Sequence, residues 1–217
     1  MNSGFYKDTF MKISEEKRQR ILDAAIAEFS EHGFDSANIN TIAQRSDVSV
    51  GSLYKYFENK ENLFLAIVHV GVEKLKAVLE DIIKSDEKLE SRIEKIIKAI
   101  QVHTRENVHL TKLYNEMTTE NRSSLVWKIV SDMENATAGL YASMIKEAKE
   151  AGYIRSDINE NLFAFYLDNL FIMLQFSYAC EYYKERMKIF VGEDVVNRDE
   201  LVAEQLMKFI KGAFFLK

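Results

Sequence analysis

Ser52, Lys55 and Tyr56 bring a hydroxyl, an ammonium and a phenol together at helical spacing, one residue after the small Gly51. A cation meets phosphate, hydroxyls and phenols meet base edges, and a glycine permits close backbone approach; a DNA major groove asks for these groups together. To do this they must stand on a rigid element held off the core.

The flanking sequence supplies such an element. Asn38 caps a short helix that carries Ile39, Ile42 and Ala43 on one face. Ser46-Asp47 makes a tight turn, with Val48 as an apolar plug. Ser49 then caps a second short helix, on which Leu53 and Phe57 fall one turn apart and pin it to the first. Ser52, Lys55 and Tyr56 are expected to face outward, with Val50 and Gly51 at the exposed N-terminus. Spacing alone is equally compatible with an ordinary helical hairpin of a bundle.

Thr41-Ile42-Ala43, Val48-Ser49, the run from Gly51 to Phe57, and Asn59-Lys60-Glu61-Asn62-Leu63-Phe64 carry a resemblance as well. With the amphipathic helix before them, they resemble the N-terminal domain of the TetR (tetracycline-repressor) family of bacterial transcription regulators, over roughly a quarter of the chain. One departure is Asp47, where the family usually has glycine; aspartate reaches the left-handed conformation at some cost, so the turn is expected to be kept. The candidate DNA contacts are Asn38, Asn40, Thr41, Arg45, Ser49, Val50, Gly51, Ser52, Tyr54, Lys55, Tyr56 and Lys60. The resemblance implies an all-α fold: an N-terminal arm and three-helix helix-turn-helix head (residues 1–60), then a larger helical domain (residues 61–217) that binds a small molecule and dimerises.

Composition agrees with a helical, globular chain. Among 217 residues, 47% are hydrophobic and 29% charged, with no proline and eight glycines; so few breakers among so much Leu, Ile, Lys, Glu and Ala read as all-α. The single cysteine, Cys180, cannot form an internal disulfide and suits a reducing cytoplasm, where it is expected as an inert buried thiol. Met1–Lys12 has neither the apolar core nor the cleavage site of a secretory signal and is expected to be a mobile arm. Net charge is −5, and Met1–Lys60 holds eight Lys and Arg against nine Asp and Glu, a net of −1. Positive charge near the presumed contact face is therefore local: Arg45, Lys55 and Lys60. Few phosphate contacts per subunit imply reliance on a dimer engaging two half-sites.

The remaining elements are set by apolar periodicity and caps. Ser14, followed by Glu15 and Glu16, opens a first helix ending near His32, with Gly33 as its stop. Asn59 caps a long helix to about Lys84, whose first turn places Lys60 for a phosphate and whose length ties the head to the larger domain. Further helices are expected over Leu89–Thr104, Asn107–Thr119 and Ser124–Ala151, with breaks at Ser85-Asp86 and Asn121-Arg122-Ser123. From Leu162 to Cys180, 15 of 19 residues are apolar. A membrane span there would bury Asp168 at a cost of about 2.5–3.5 kcal/mol, so a helix covered on several sides is the simpler reading. Asn197 and Glu200 resemble a capping box for a last helix to Phe215. The last two long helices are expected to form a two-fold four-helix dimer interface, as the resemblance implies.

The candidate effector residues are His103, Tyr114, Met117, Trp127, Tyr141, Phe165, Asp168, Asn169 and Phe176, large or aromatic side chains interspersed with polar ones, the general pattern of ligand sites. Asp168, Asn169 and Gln175 need partners if buried, from a ligand or across the dimer interface. No phosphate-cradling glycine loop and no catalytic set is present, and His103 and His109, six apart, do not share a helical face for a metal. No enzyme, cofactor or metal is expected. The reading is a cytoplasmic, homodimeric DNA-binding regulator, a repressor released from its operator by a small, largely apolar or aromatic ligand. The alternative keeps the head but fills the C-terminal core and gives control to a protein partner.

Overall fold

Ser14 accepts a hydrogen bond from the Lys17 backbone N–H and so starts the first long helix, Glu15–Ser36 (α2), with two glutamates at its positive end. The computed structural model describes residues 4–119 and 124–215, so the break expected at Asn121-Arg122-Ser123 lies outside the described residues. These form eleven α-helices and no strand beyond one Ile154–Phe215 bridge.

They divide into two compact units, residues 1–73 with 109–122 and residues 74–108 with 123–217. The boundary read from sequence at Lys60 falls inside the first of them.

The first unit holds Asp8–Met11 (α1), α2, Ile39–Arg45 (α3), Val50–Tyr56 (α4), the start of Lys60–Ile83 (α5) and Val108–Thr119 (α7). Gly33 breaks α2 near its end with φ +71°, a left-handed turn that disfavours a side chain. The backbone continues through Phe34, whose N–H donates to Glu116 Oε1 of α7 at 2.7 Å. Ile21, Ala25 and Phe29 of α2, Ile42 of α3, Leu53 of α4 and Phe64 of α5 are all buried. Each of the isoleucine, leucine and phenylalanine side chains contributes about 1.5–3 kcal/mol on leaving water. At Gly71 of α5 a Cβ would come within 3.1 Å of the Leu110 side chain, so the glycine lets α7 approach. The expected mobile arm is a correction: Phe5 and Phe10 are buried at 6% and 3% exposure, since two phenyl rings in so short a segment gain more by packing than by staying in water.

The second unit is built on Leu89–Glu106 (α6), Ser124–Glu150 (α8), Glu160–Ala179 (α9), Glu181–Val191 (α10) and Asp199–Phe214 (α11), with the last part of α5. Ile93, Ile96, Ile97 and Ile100 give α6 an aliphatic stripe that meets Tyr141, Met144 and Ile145 of α8, Leu167 and Phe171 of α9, and Ile210 of α11. Asn59 and Asn159 cap α5 and α9 through side-chain oxygens. α9 is long and apolar enough to cross a bilayer, yet Ala164, Leu167, Phe171 and Leu174 lie in this core.

The expected Asn197–Glu200 capping box gives way. α11 starts at Asp199 after a 3-10 turn over Glu193–Asn197, with no side-chain cap on Arg198. The Arg105 guanidinium takes over that end. It forks onto Asp199, Nε donating to Oδ2 at 2.7 Å, and Nη2 also donates to the Val196 carbonyl at 2.6 Å. Arg105 lies over the Tyr178 ring, 4.6 Å from its centroid, and Gln101 donates to the Tyr178 hydroxyl and the Asp199 carbonyl. The paired charges hold the Asp199 carboxyl below its ordinary range, while burial pushes the Tyr178 phenol up to about 12. α10 was not legible as a separate helix: Cys180 is extended (φ −100°, ψ 128°) with no glycine or proline to mark the break.

Candidate nucleic-acid interface

Asn38 Oδ1 accepts the Asn40 N–H at 2.9 Å, and Ser49 Oγ accepts the Ser52 N–H at 3.1 Å, so both short helices begin with the expected side-chain caps. Between them Asp47 takes φ +55°, the left-handed conformation that the turn requires. Val48 N–H donates to the Ala43 carbonyl, and buried Ser46 returns its hydroxyl to the Ile42 carbonyl at 2.6 Å. Leu53 and Phe57 are buried at 2% beside Ile42 and Ala43, and fix α4 on α3. This is a helix-turn-helix, with α4 as its second helix.

Gly51, Tyr54 and Lys55 are exposed on α4, Ser49 is exposed at its cap, and Val50 and Ser52 are half-buried. The Ser49 and Ser52 hydroxyls lie 2.9 Å apart. Tyr56 corrects the expected face. Its side chain is only 8% exposed and packs against Phe10 and beside Phe57. On a helix residue 56 stands about 60° from residue 53, close enough to the buried side that a further element can cover it, and α1 does. The outward phenol is that of Tyr54, 47% exposed.

A Cβ at Gly51 would find only Ser49 Oγ, at 3.9 Å. Nothing inside the chain requires a glycine there, although glycine weakens a helix by about 0.5–1 kcal/mol relative to alanine. Gly51, Tyr54 and Lys55 together leave a gap, a phenol and a cation on the exposed side of α4.

The flanking candidates are placed with less freedom. Asn38, Asn40 and Arg45 are exposed and Thr41 is half-buried. Arg45 Nη1 lies 3.3 Å from Oε2 of the buried Glu28 and also pairs with Glu31. Lys60 Nζ donates to the Asp35 carbonyl at 3.0 Å and sits 5.1 Å from the Phe34 ring centroid. Of the three local cations expected at the face, Lys55 is the one with no hydrogen bond or ion pair from its ammonium among the described residues.

The expected effector residues do not gather at one place. Tyr114 and buried Met117 belong to the first unit. Trp127 is 57% exposed on α8, Phe176 is buried against Tyr183, and His103 is half-buried on α6, where desolvation holds its imidazole below the ordinary range. Phe165, Asp168 and Asn169 do converge. They line a groove of about 510 Å³ between α8 and α9, with Ala138, Ala142 and Ile172 as apolar wall. Burial, with Glu134 facing it, pushes the Asp168 carboxyl up to about 7. Burial, with the Asp168 carboxylate nearby, pushes the Tyr141 phenol up. Asn169 turns its amide to the Phe165 carbonyl of its own helix, 2.7 Å away. Among the described residues no group of three His, Cys, Asp or Glu could hold a metal ion.

A capped helix-turn-helix followed through α5 by an all-helical body is the architecture of DNA-binding transcription regulators. Residues 21–67 match the bacterial regulatory proteins, tetR family. The chain is 29% identical over 153 residues to the HTH-type transcriptional regulator UidR of Escherichia coli strain K12, covering 70% of this chain and 76% of UidR. Its fold is that of Salmonella enterica GusR, with TM-score 0.70 at 22% identity over 93% of this chain and 97% of that one. It is also that of the transcriptional regulator FadR from Bacillus subtilis in complex with stearoyl-CoA, with TM-score 0.67 at 18% identity over 87% and 97% of the two chains. The family match is thus carried by the head, and the likeness over the rest of the chain is one of fold.

Proposed function

We propose that the protein is a cytoplasmic, homodimeric repressor that leaves its operator when a small, largely apolar or aromatic ligand occupies the helical body. The observation that carries the ligand reading is the groove between α8 and α9: an alanine, isoleucine and phenylalanine wall beside Glu134, three asparagines and Asp168, whose carboxyl has no hydrogen bond or ion pair among the described residues. An apolar wall with a few orienting polar groups is the usual form of a small-molecule site. With a pKa of about 7, Asp168 offers a donor or an acceptor in the cell. FadR, which shares the fold, holds an acyl-CoA, so a long apolar ligand is compatible with it. The cavity favours this reading over a filled body governed by a protein partner.

The dimer reading rests on α9 and α11. Leu162, Phe165 and Tyr166 of α9 and Phe209 of α11 are 52–63% exposed. Apolar patches of that kind mark interaction surfaces, and a second copy would bury them in a four-helix arrangement. Two reading helices would then enter successive major grooves about 34–36 Å apart. Phe165 lines the groove and stands on the dimer face, so a ligand beside it acts on the helix that sets how the copies meet. α5, which begins in the head and contributes Leu79 and Ile83 to the body's core, carries the change to the head as a lever. A preference for the wrongly spaced state of about 1–3 kcal/mol suffices.

The test uses the purified chain. Light scattering gives its mass in solution, and duplexes enriched from a random pool are footprinted with it. A panel of acyl, steroid and aromatic compounds is then screened for thermal shift and for release of that DNA. The expected results are a dimer, two protected half-sites one helical turn apart, and one compound class that stabilises the protein and releases DNA. Phe165→Glu should give a monomer. A monomeric parent chain, or a groove-blocking Ala164→Trp variant released by the same compound at the same concentration, would overturn the reading.

A further inference from the structure

α4 has seven residues, and a two-turn helix is marginal without tertiary support. Its last turn leaves carbonyls with no partner within the helix, each of which must find a donor elsewhere. Leu53 has one in the Phe57 N–H, at 2.8 Å. The other three are taken by one remote segment. Lys7 Nζ donates to the Tyr54 carbonyl at 3.1 Å, Thr9 Oγ1 to the Lys55 carbonyl at 2.6 Å, and the Lys7 N–H to the Tyr56 carbonyl at 2.8 Å. A lysine ammonium at that end also complements the helix dipole.

The same segment grips the side of α4. Phe10 lies 4.8 Å from the Phe57 ring centroid and 5.8 Å from that of Tyr56, closing the sector that Leu53 begins. It is anchored in turn on two other helices of the head. Phe5 meets the His69 ring of α5 edge-on at 5.4 Å, and Arg18 of α2 donates to the Met11 and Ile13 carbonyls at 3.0 and 2.9 Å.

We propose that Phe5–Met11 is a positioning clasp for DNA reading: it fixes the direction and pitch of α4 through its terminal carbonyls, so that Gly51, Tyr54 and Lys55 meet base edges in one register. The clasp rests on the DNA-reading role proposed for α4. Thr9 and Phe10 act through α4 and read no base themselves. Without them α4 still displays its cation and phenol but in several orientations. Sequence-independent attraction to phosphates tolerates that; base readout, which needs hydrogen-bond geometry, does not.

The experiment compares the full-length chain with Thr9→Val, Thr9→Ser and Phe10→Ala on two duplexes, one enriched by the parent chain from a random pool and one unrelated sequence of equal length. Thermal melting of each variant is followed in parallel, and affinities are measured well below every Tm. Phe10→Ala should weaken the enriched duplex tenfold or more, and Thr9→Val about threefold, with the unrelated duplex changed less than twofold. Thr9→Ser, which keeps the hydroxyl, should bind like the parent. Unchanged discrimination in Phe10→Ala and Thr9→Val would overturn the clasp. So would equal losses on both duplexes, which mean only that less protein is folded. A parent chain that enriches no duplex would overturn DNA reading itself, an outcome distinct from either.

Discussion

The buried carboxylate of Glu28 in α2 holds the Arg45 guanidinium of α3, Oε2 to Nη1 at 3.3 Å, while its Oε1 accepts the Asn38 N–H at 2.9 Å. One acid thus ties down the start and the end of the first helix of the reading motif. Removing Arg45 leaves Glu28 as a buried charge without its cation. Because the guanidinium is 43% exposed, Arg45→Ala is expected to cost about 1–3 kcal/mol, below the range for a fully buried pair. Chemical denaturation measures that loss. Arg45→Ala together with Glu28→Gln should recover part of it, and a double variant no more stable than Arg45→Ala would refute the pairing argument.

Gly51 separates stability from recognition. Gly51→Ala should stabilise α4 by about 0.5–1 kcal/mol, since the new methyl meets only Ser49 Oγ. Operator affinity should nevertheless fall by about tenfold, or about 1.4 kcal/mol, as the methyl holds the backbone away from DNA. A variant at once more stable and equally tight would show that nothing approaches this residue.

Lys55 is expected to meet phosphate. Lys55→Gln should leave the melting temperature unchanged, because the ammonium makes no hydrogen bond or ion pair among the described residues. The slope of log Kd against log salt should fall by about 0.9 per subunit, equally on specific and random DNA. An unaltered slope would remove Lys55 from the phosphate contacts.

Asp168 gives stability a pH dependence of definite sign. Its folded pKa, about 7, lies above the ordinary 3.8, so between these values the folded chain keeps a proton that the unfolded chain releases. The native state is therefore most favoured by this group below about pH 4, and that contribution is lost as pH rises to about 7. Asp168→Asn should flatten this part of the pH–stability curve and raise stability at pH 8 by about 2 kcal/mol, a figure discounted for partial exposure. Denaturation midpoints of both proteins between pH 4 and 8 decide it; parallel curves would place the carboxyl in water.

Most of the head was legible because its signals are local. A cap reaches two or three residues and a helical stripe repeats every three or four, so Asn38, Ser49, Leu53 and Phe57 reveal themselves within one window. Tyr56 was misread for the complementary reason. Periodicity fixes the angles between side chains on α4, yet the width of the covered sector depends on what packs there, and Phe10 arrives from 46 residues away. The same limit applies to Arg105, whose partner Asp199 is 94 residues distant, and to the scattered aromatic residues proposed as one pocket.

Composition, caps and apolar spacing act through neighbours along the chain, and they set the helical class, the order of most helices and the helix-turn-helix. Long-range packing settled which side of α4 is free, that Phe5–Met11 packs on it, and that Phe165, Asp168 and Asn169 share a groove while Tyr114 and Trp127 do not. Those outcomes depend on which surfaces meet across long separations. Many pairings of amphipathic helices would bury similar apolar area, so the hydrophobic pattern leaves the choice open, and specific packing and hydrogen bonds make it.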